Sequence, residues 1–341
     1  MRAKGICYDT GFIRNGSNSR ECFDPDLVKK ELTIIRDDLH CTAVHITGGD
    51  PDRLDLAARH AAELGLEIWF SPYPLELTTD EILALLADCA ERAEQLRAQG
   101  AEVVFVAGAE LSVMNHGFLE GDSTEERISR LLSDPARRPE RFAAVGTRLN
   151  AFLREAVALV RERFHGKVTY AAIQFEAVDW DVFDFTTFEL IRSAEVADRF
   201  RDAVRSLVAQ PKPVAITGFG TATWRGAGDV APRSMEILET DEATGAPLRL
   251  NGEYERDEAG QAYLSELLEI FETEGVDSAF VFLFALYNLP HRPDGDPRDD
   301  LDLASLGIVK ILEDRHGDTY PDMPWEPKAA FAAVADHYRG G

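Results

Sequence analysis

Eight short apolar, β-prone runs alternate with amphipathic helical patterns along the chain, and this alternation constrains its fold more than any other feature. The runs are "GICYDTG" (5–11), "TAVHITGG" (42–49), "LEIWFSPY" (66–73), "EVVFVAGAE" (102–110), "KVTYAAIQFE" (167–176), "FDFTTFELI" (183–191), "PVAITGFG" (213–220) and "SAFVFLFALY" (278–287). Strands that alternate with helices form parallel sheets, and eight such units predict a single-domain (β/α)8 TIM barrel over residues 1–341. A doubly wound open sheet fits less well, because no GxGxxG follows the first strand.

The helices between these runs have legible starts and stops. Asp24 with Pro25, and Asp50 with Pro51, suit an N-cap followed by a first helical position. Thr78 and Glu81 form a capping-box pattern, and the stripe Ile82, Leu86, Cys89 and Ala93 that follows makes Cys89 core filling rather than a reactive thiol. Further amphipathic stretches cover 139–164, 195–209, 257–274 and 327–338. Two connections are long. One, at 221–256, reads as a hairpin excursion through "SMEILETDEATGAPLRLNG"; the other, at 288–326, is rich in Pro and Asp. Both leave carboxyl ends of strands, where barrel active sites are built, so both are lid candidates.

Charge narrows the class of partner. With 36 Lys plus Arg against 61 Asp plus Glu the net charge is −25, which repels nucleic-acid backbones and anionic membranes. A small-molecule substrate is expected, with no nucleic acid and no membrane. The four cysteines have no metal-site spacing, and neither a signal-peptide pattern nor a membrane-length apolar run is present, so a reduced cytoplasmic setting is expected, with no metal and no cofactor. There is no GxSxG elbow and no HExxH helix, which argues against serine hydrolases and zincins. "DGDPRDDLD" (294–302) lacks the EF-hand spacing and its closing Glu, and "GFGTATWRGAG" with Arg225 is only a weak phosphate-loop signal.

In a barrel, the side chains to weigh lie at the carboxyl ends of strands. These include Asp9, His45, Asp50, Tyr73, Glu110, Glu176, Asp179, Gly218, Trp224, Arg225, Tyr287, Asn288 and His291. On these residues the chain resembles the large superfamily of retaining glycosidases whose acid/base glutamate ends strand four and whose nucleophilic glutamate ends strand seven. A closer likeness, carried by "YDTGF" (8–12), "CTAVHITGGDPDRL" (41–54), "GAELS" (108–112), "SAEVADRFRDAVRSLVAQ" (193–210), "YNLPHR" (287–292) and "YPDMPWEPKAAF" (320–331), is to barrel proteins often labelled "abortive infection protein". That label carries no mechanism.

The resemblance implies that Glu110 takes the acid/base position, although the Asn that often precedes it is Ala109 here. It also implies that Gly218 stands where the nucleophile belongs. His45 replaces a frequent Arg, Ile191 a frequent Tyr near that position, and Val281, with Leu283 beside it, a frequent Trp floor. Gly218 cannot form a glycosyl-enzyme bond, so retaining hydrolysis with this residue is excluded. Such a set of changes fits natural repurposing better than one engineered substitution.

The leading expectation is therefore cofactor-independent acid/base chemistry, namely cyclisation, isomerisation or dehydration, on a largely apolar small molecule of secondary metabolism. Glu110 would be the proton donor, with His45 and Glu176 placing or accepting protons. Tyr8, Asp9, Tyr73, Ile191, Gly218, Trp224, Arg225, Val281, Leu283, Tyr287 and Asn288 would border the ligand. One alternative is a glycoside hydrolase that uses Glu110 with a displaced second carboxylate, for which Glu176 is the expected source. Another is a barrel that binds a small molecule and converts nothing.

Overall fold

The computed structural model describes residues 1–340. Eight parallel strands form its centre: β1 (Ala3–Asp9), β2 (Ala43–Gly48), β3 (Glu67–Pro72), β4 (Val103–Ala109), β5 (Lys167–Ala171), β6 (Thr186–Glu189), β7 (Val214–Phe219) and β8 (Ser278–Val281). The hydrogen-bonded order is β5-β4-β3-β2-β1-β8-β7-β6. A bridge from Ala172 to Phe188 joins the two ends, with Ala172 N donating to Thr187 O (3.1 Å) and Glu189 N to Ala172 O (2.9 Å). The sheet thus closes into a (β/α)8 barrel, as the eight runs predict.

Seven long helices surround it: α1 (Pro25–Asp37), α2 (Pro51–Glu63), α3 (Thr79–Ala98), α4 (Arg138–Arg161), α5 (Ala197–Val208), α6 (Tyr263–Glu274) and α7 (Ala329–Gly340). Their starts follow from the capping residues. Asp24 and Asp50 accept backbone N–H bonds ahead of Pro25 and Pro51, and Thr78 and Glu81 form the reciprocal capping box. The alternation fails once. The β5–β6 connection contains only the single turns Gln174–Glu176 and Trp180–Val182, so no helix covers that seam.

Two apolar layers result. Val28, Leu32, Leu54, Leu86 and Cys89 fill the space between strands and helices. Trp69, Phe185 and Phe280 pack inside the barrel, with Trp69 5.1 Å from Phe185 and 4.9 Å from Phe280 between ring centroids. The expected hairpin forms, with Leu238–Thr240 antiparallel to Pro247–Leu250. The connection after β8 is anchored rather than free: Asp302 forms an ion pair with Lys328 (2.8 Å) and accepts Arg256 (2.8 Å), while Asp300 accepts Arg256 (2.9 Å) and lies 2.9 Å from His291 Nδ1. A segment held by buried charge pairs does not behave as a swinging lid. Among the described residues no helix is long and apolar enough to cross a membrane.

Candidate active site

Glu110 reaches the barrel mouth because β4 breaks its register just before it. The pairing with β5 shifts between Val106 and Ala109, and Gly108 sits at φ +100°, where a Cβ would come within 2.9 Å of Leu111. Such a bulge re-aims the following side chain. Glu110 itself has φ 47°, and its N–H is held by Ala171 O at 3.0 Å.

Across the mouth, β6 alternates Phe185, Thr187 and Glu189 toward the barrel interior. Glu189 stands beside Gly218 in the β6–β7 register, and its Oε1 accepts the Thr217 hydroxyl at 2.8 Å. A Cβ built on Gly218 would lie 1.6 Å from Glu189 Oε2. The absent side chain at 218 is therefore what seats this carboxylate.

Both glutamates line a cavity of about 860 Å³ that Ile173, Phe175, Ile191 and Arg199 also border. Burial first, then the Glu189 and Glu176 charges, pushes Glu110 up to about 8. Burial likewise pushes Glu189 up to about 7, against the lowering effect of the Thr217 hydroxyl. Near neutral pH Glu110 is the carboxyl that keeps its proton longest. Tyr73 belongs to the same group, since burial and then the Glu110 and Glu189 charges hold its hydroxyl well above the usual range.

Glu176 occupies a different kind of place from the one expected. It is fully buried, and its oxygens accept Ser112 N (3.2 Å), Ser112 Oγ (2.6 Å), Tyr170 OH (2.9 Å) and Ile173 N (3.1 Å). It ties the turn after β4 to β5 and positions the backbone beside Glu110, with no oxygen left for a ligand. His45 lies below the mouth inside the barrel, with Nδ1 3.1 Å from Cys7 Sγ. Burial lowers its pKa to about 4, so the ring is neutral, and no hydrogen bond joins it to Glu110 among the described residues.

Several expected ligand contacts lie elsewhere. Tyr8 and Tyr287 donate to Glu31 in the strand–helix layer, and Trp325 and Arg20 complete that network. Asp9 accepts Gly11 N (2.6 Å) and Ser19 Oγ (2.6 Å) and so shapes the loop after β1. Val281 faces the outer layer, whereas Leu283 is buried in the barrel interior. The Trp224 indole donates to Ser234 O (2.8 Å), and Arg225 pairs with Glu255 (2.7 Å) at the surface. Asn288 borders a separate cavity beside the hairpin. Ile191 and Gly218 meet the expected cleft, one as wall and one as seat.

Glu189 escaped the sequence reading, which took Ile191 as the strand-six position. The period of two in "FTTFE" was the available signal, because it puts Phe185, Thr187 and Glu189 on one face.

No known protein family matches the chain, and no curated protein does. Solved structures do. A GH113 β-1,4-mannanase superposes over 100% of both chains at TM-score 0.62 and 15% identity. The GH113 β-mannanase AaManA from Alicyclobacillus acidocaldarius gives TM-score 0.59 at 14% identity, covering 99% of this chain and 97% of that one. Thermotoga maritima Cel5A gives 0.52 at 12% identity, covering 89% and 97%. The fold is a glycosidase-like (β/α)8 barrel. At such identities the likeness extends to the fold alone, and the chemistry has to come from the side chains.

Proposed function

We propose that this barrel cleaves a glycosidic bond with Glu110 as proton donor and Glu189 as the second carboxylate. The observation that carries the reading is the seating of Glu189 in the space that Gly218 leaves open. The residue that the chain lacks on β7 is thereby replaced from β6, and the displaced carboxylate is Glu189 rather than Glu176.

The roles follow from the order of ionisation. A general acid must hold its proton at working pH, as Glu110 does, and its partner must be able to ionise first, as Glu189 does. A strand-seven glutamate would carry its carboxyl oxygens about 3 Å beyond its own Cβ. Glu189 Oε2 lies 1.6 Å from that Cβ position, so it stands close to the root of the missing side chain. In the inverting form of the reaction a water fits between carboxyl groups about 6.5–9.5 Å apart. Glu110 then protonates the leaving oxygen while Glu189 accepts a proton from the attacking water.

A second reading keeps the same acid and changes the reaction. The apolar wall of Ile173, Phe175, Leu190 and Ile191 favours proton transfer on a non-sugar ligand, giving cyclisation, isomerisation or dehydration. A panel of aryl glycosides that includes β-mannosides and β-glucosides separates the two. Aryl alcohol release that is lost in both Glu110→Gln and Glu189→Gln, with inverted product by NMR, is expected. Release that survives Glu189→Gln, or no release across the panel, would reject the hydrolytic reading.

A further inference from the structure

Nearly every arginine of this acidic chain is neutralised by a carboxylate. Among the described residues only Arg138, Arg141, Arg148, Arg199 and Arg315 have none within 4.0 Å. Three of these are held by backbone carbonyls instead. Arg138 donates to Leu132 O (2.9 Å), Arg141 to Arg130 O (2.7 Å) and Arg148 to Phe118 O (3.0 Å), and together they staple the excursion after β4. Arg315 borders none of the described cavities.

Arg199 differs from all of them. It makes neither an ion pair nor a hydrogen bond to the protein, and it borders the cavity that holds Glu110 and Glu189. Its own helix supplies the contrast, because Arg201 and Arg205 on α5 both pair with Glu274, at 3.0 and 2.9 Å. Ser193 and Gln174 line the same cavity, and their side chains also have no protein partner. A guanidinium, a hydroxyl and an amide, all with free donors, thus face a cleft whose other charged groups are carboxyls.

Donors of this kind recognise anionic oxygens, and arginine does so with two parallel N–H bonds. A neutral ligand gains little from an unpaired guanidinium. An acidic one requires it, because the net charge of −25 and the two glutamates otherwise repel it.

We propose that the cleft takes a glycosidic ligand bearing an anionic group, a carboxylate, a sulfate ester or a phosphate ester, and that Arg199 holds that group with help from Ser193. This rests on the reading of the cleft as the substrate site, but not on the bond-cleaving step.

Binding is the test, and it uses the full chain carrying Glu110→Gln so that no ligand is consumed. The probes are methyl hexosides, each presented as the neutral sugar, the uronide, the 6-sulfate and the 6-phosphate, titrated by calorimetry at low salt. At least one acidic member should bind about tenfold more tightly than its neutral parent. Adding Arg199→Gln should remove that preference, and Arg199→Lys should restore part of it. The three acidic arms then identify which anion is read. Equal or tighter binding of the neutral sugars, a preference that survives Arg199→Gln, or no binding by any acidic member overturns the proposal. Arg199-dependent binding of an acidic sugar that the native chain fails to cleave would leave this inference standing and reject hydrolysis instead.

Discussion

Two glutamates at different seams of this barrel have opposite surroundings. Glu31, under the seam between β1 and β8, is fully buried and satisfied on both oxygens: Tyr8 OH (2.5 Å) and Arg20 Nη2 (2.7 Å) donate to one, Tyr287 OH and Trp325 Nε1 (2.9 Å) to the other. Glu189, between β6 and β7, accepts one hydroxyl and faces a cavity that it shares with Glu110. A buried charge with complete partners holds elements together. One with few partners that opens on a cavity can exchange its proton with a ligand, which is the condition for acid/base work. The aromatic hydroxyls that look like ligand contacts in the sequence, Tyr8 and Tyr287, belong to the first kind.

Changes at the two glutamates should therefore separate activity from stability. The largest expected effect is on turnover. Glu110→Gln should lower it by about 10²–10⁴-fold without lowering Tm, as steady-state kinetics and calorimetry would show. Next comes Glu31→Gln, which leaves the Arg20 guanidinium buried without its counter-charge. Denaturant unfolding should register a loss of about 3–5 kcal/mol.

Gly218→Ala should be smaller in stability, at about 1–3 kcal/mol, because its Cβ overlaps Glu189 Oε2 and the carboxylate must move. Activity should fall with it. Combining it with Glu189→Ala should recover the stability and none of the activity. An unchanged Tm in Gly218→Ala would break the link between the glycine and the carboxylate.

The smallest effect is a pH dependence. Because the folded pKa values of Glu110 and Glu189 are raised, the folded state holds their protons more tightly. Their contribution to stability is complete below the ordinary carboxyl value of 4.5 and is lost as pH rises through about 7 to 8. Glu189→Gln should thus raise Tm by about 2 °C at pH 8 and leave it unchanged at pH 4. For turnover, Glu189 must be ionised and Glu110 protonated, which predicts a bell-shaped profile with its maximum between about 7 and 8.

The fold was readable because its determinants are local. Apolar runs mark the eight strands, and Asp24, Asp50 and Thr78 start their helices where capping chemistry requires. The missing helix between β5 and β6 was less legible, since "QFEAVDWDVFDF" mixes turn and apolar residues without a clear period. The site was readable only on one strand. Glu110 follows from its place at the end of β4, but Glu189 depends on a contact between neighbouring strands, and Gly218 looks like a loss until β6 is laid beside it. Glu176 shows the converse. Its strand-end position suggested chemistry, and only the hydrogen bonds from Ser112 and Tyr170 reveal a brace.

The most direct test follows the carboxyl carbons of Glu110 and Glu189 by NMR as pH is varied, in the native chain and in Glu189→Gln. Native Glu110 should titrate near 8 and Glu189 near 7, and removing the Glu189 charge should bring Glu110 down. Ordinary titration of both groups near 4.5, or a Glu110 midpoint indifferent to Glu189→Gln, would contradict the pairing on which the account depends.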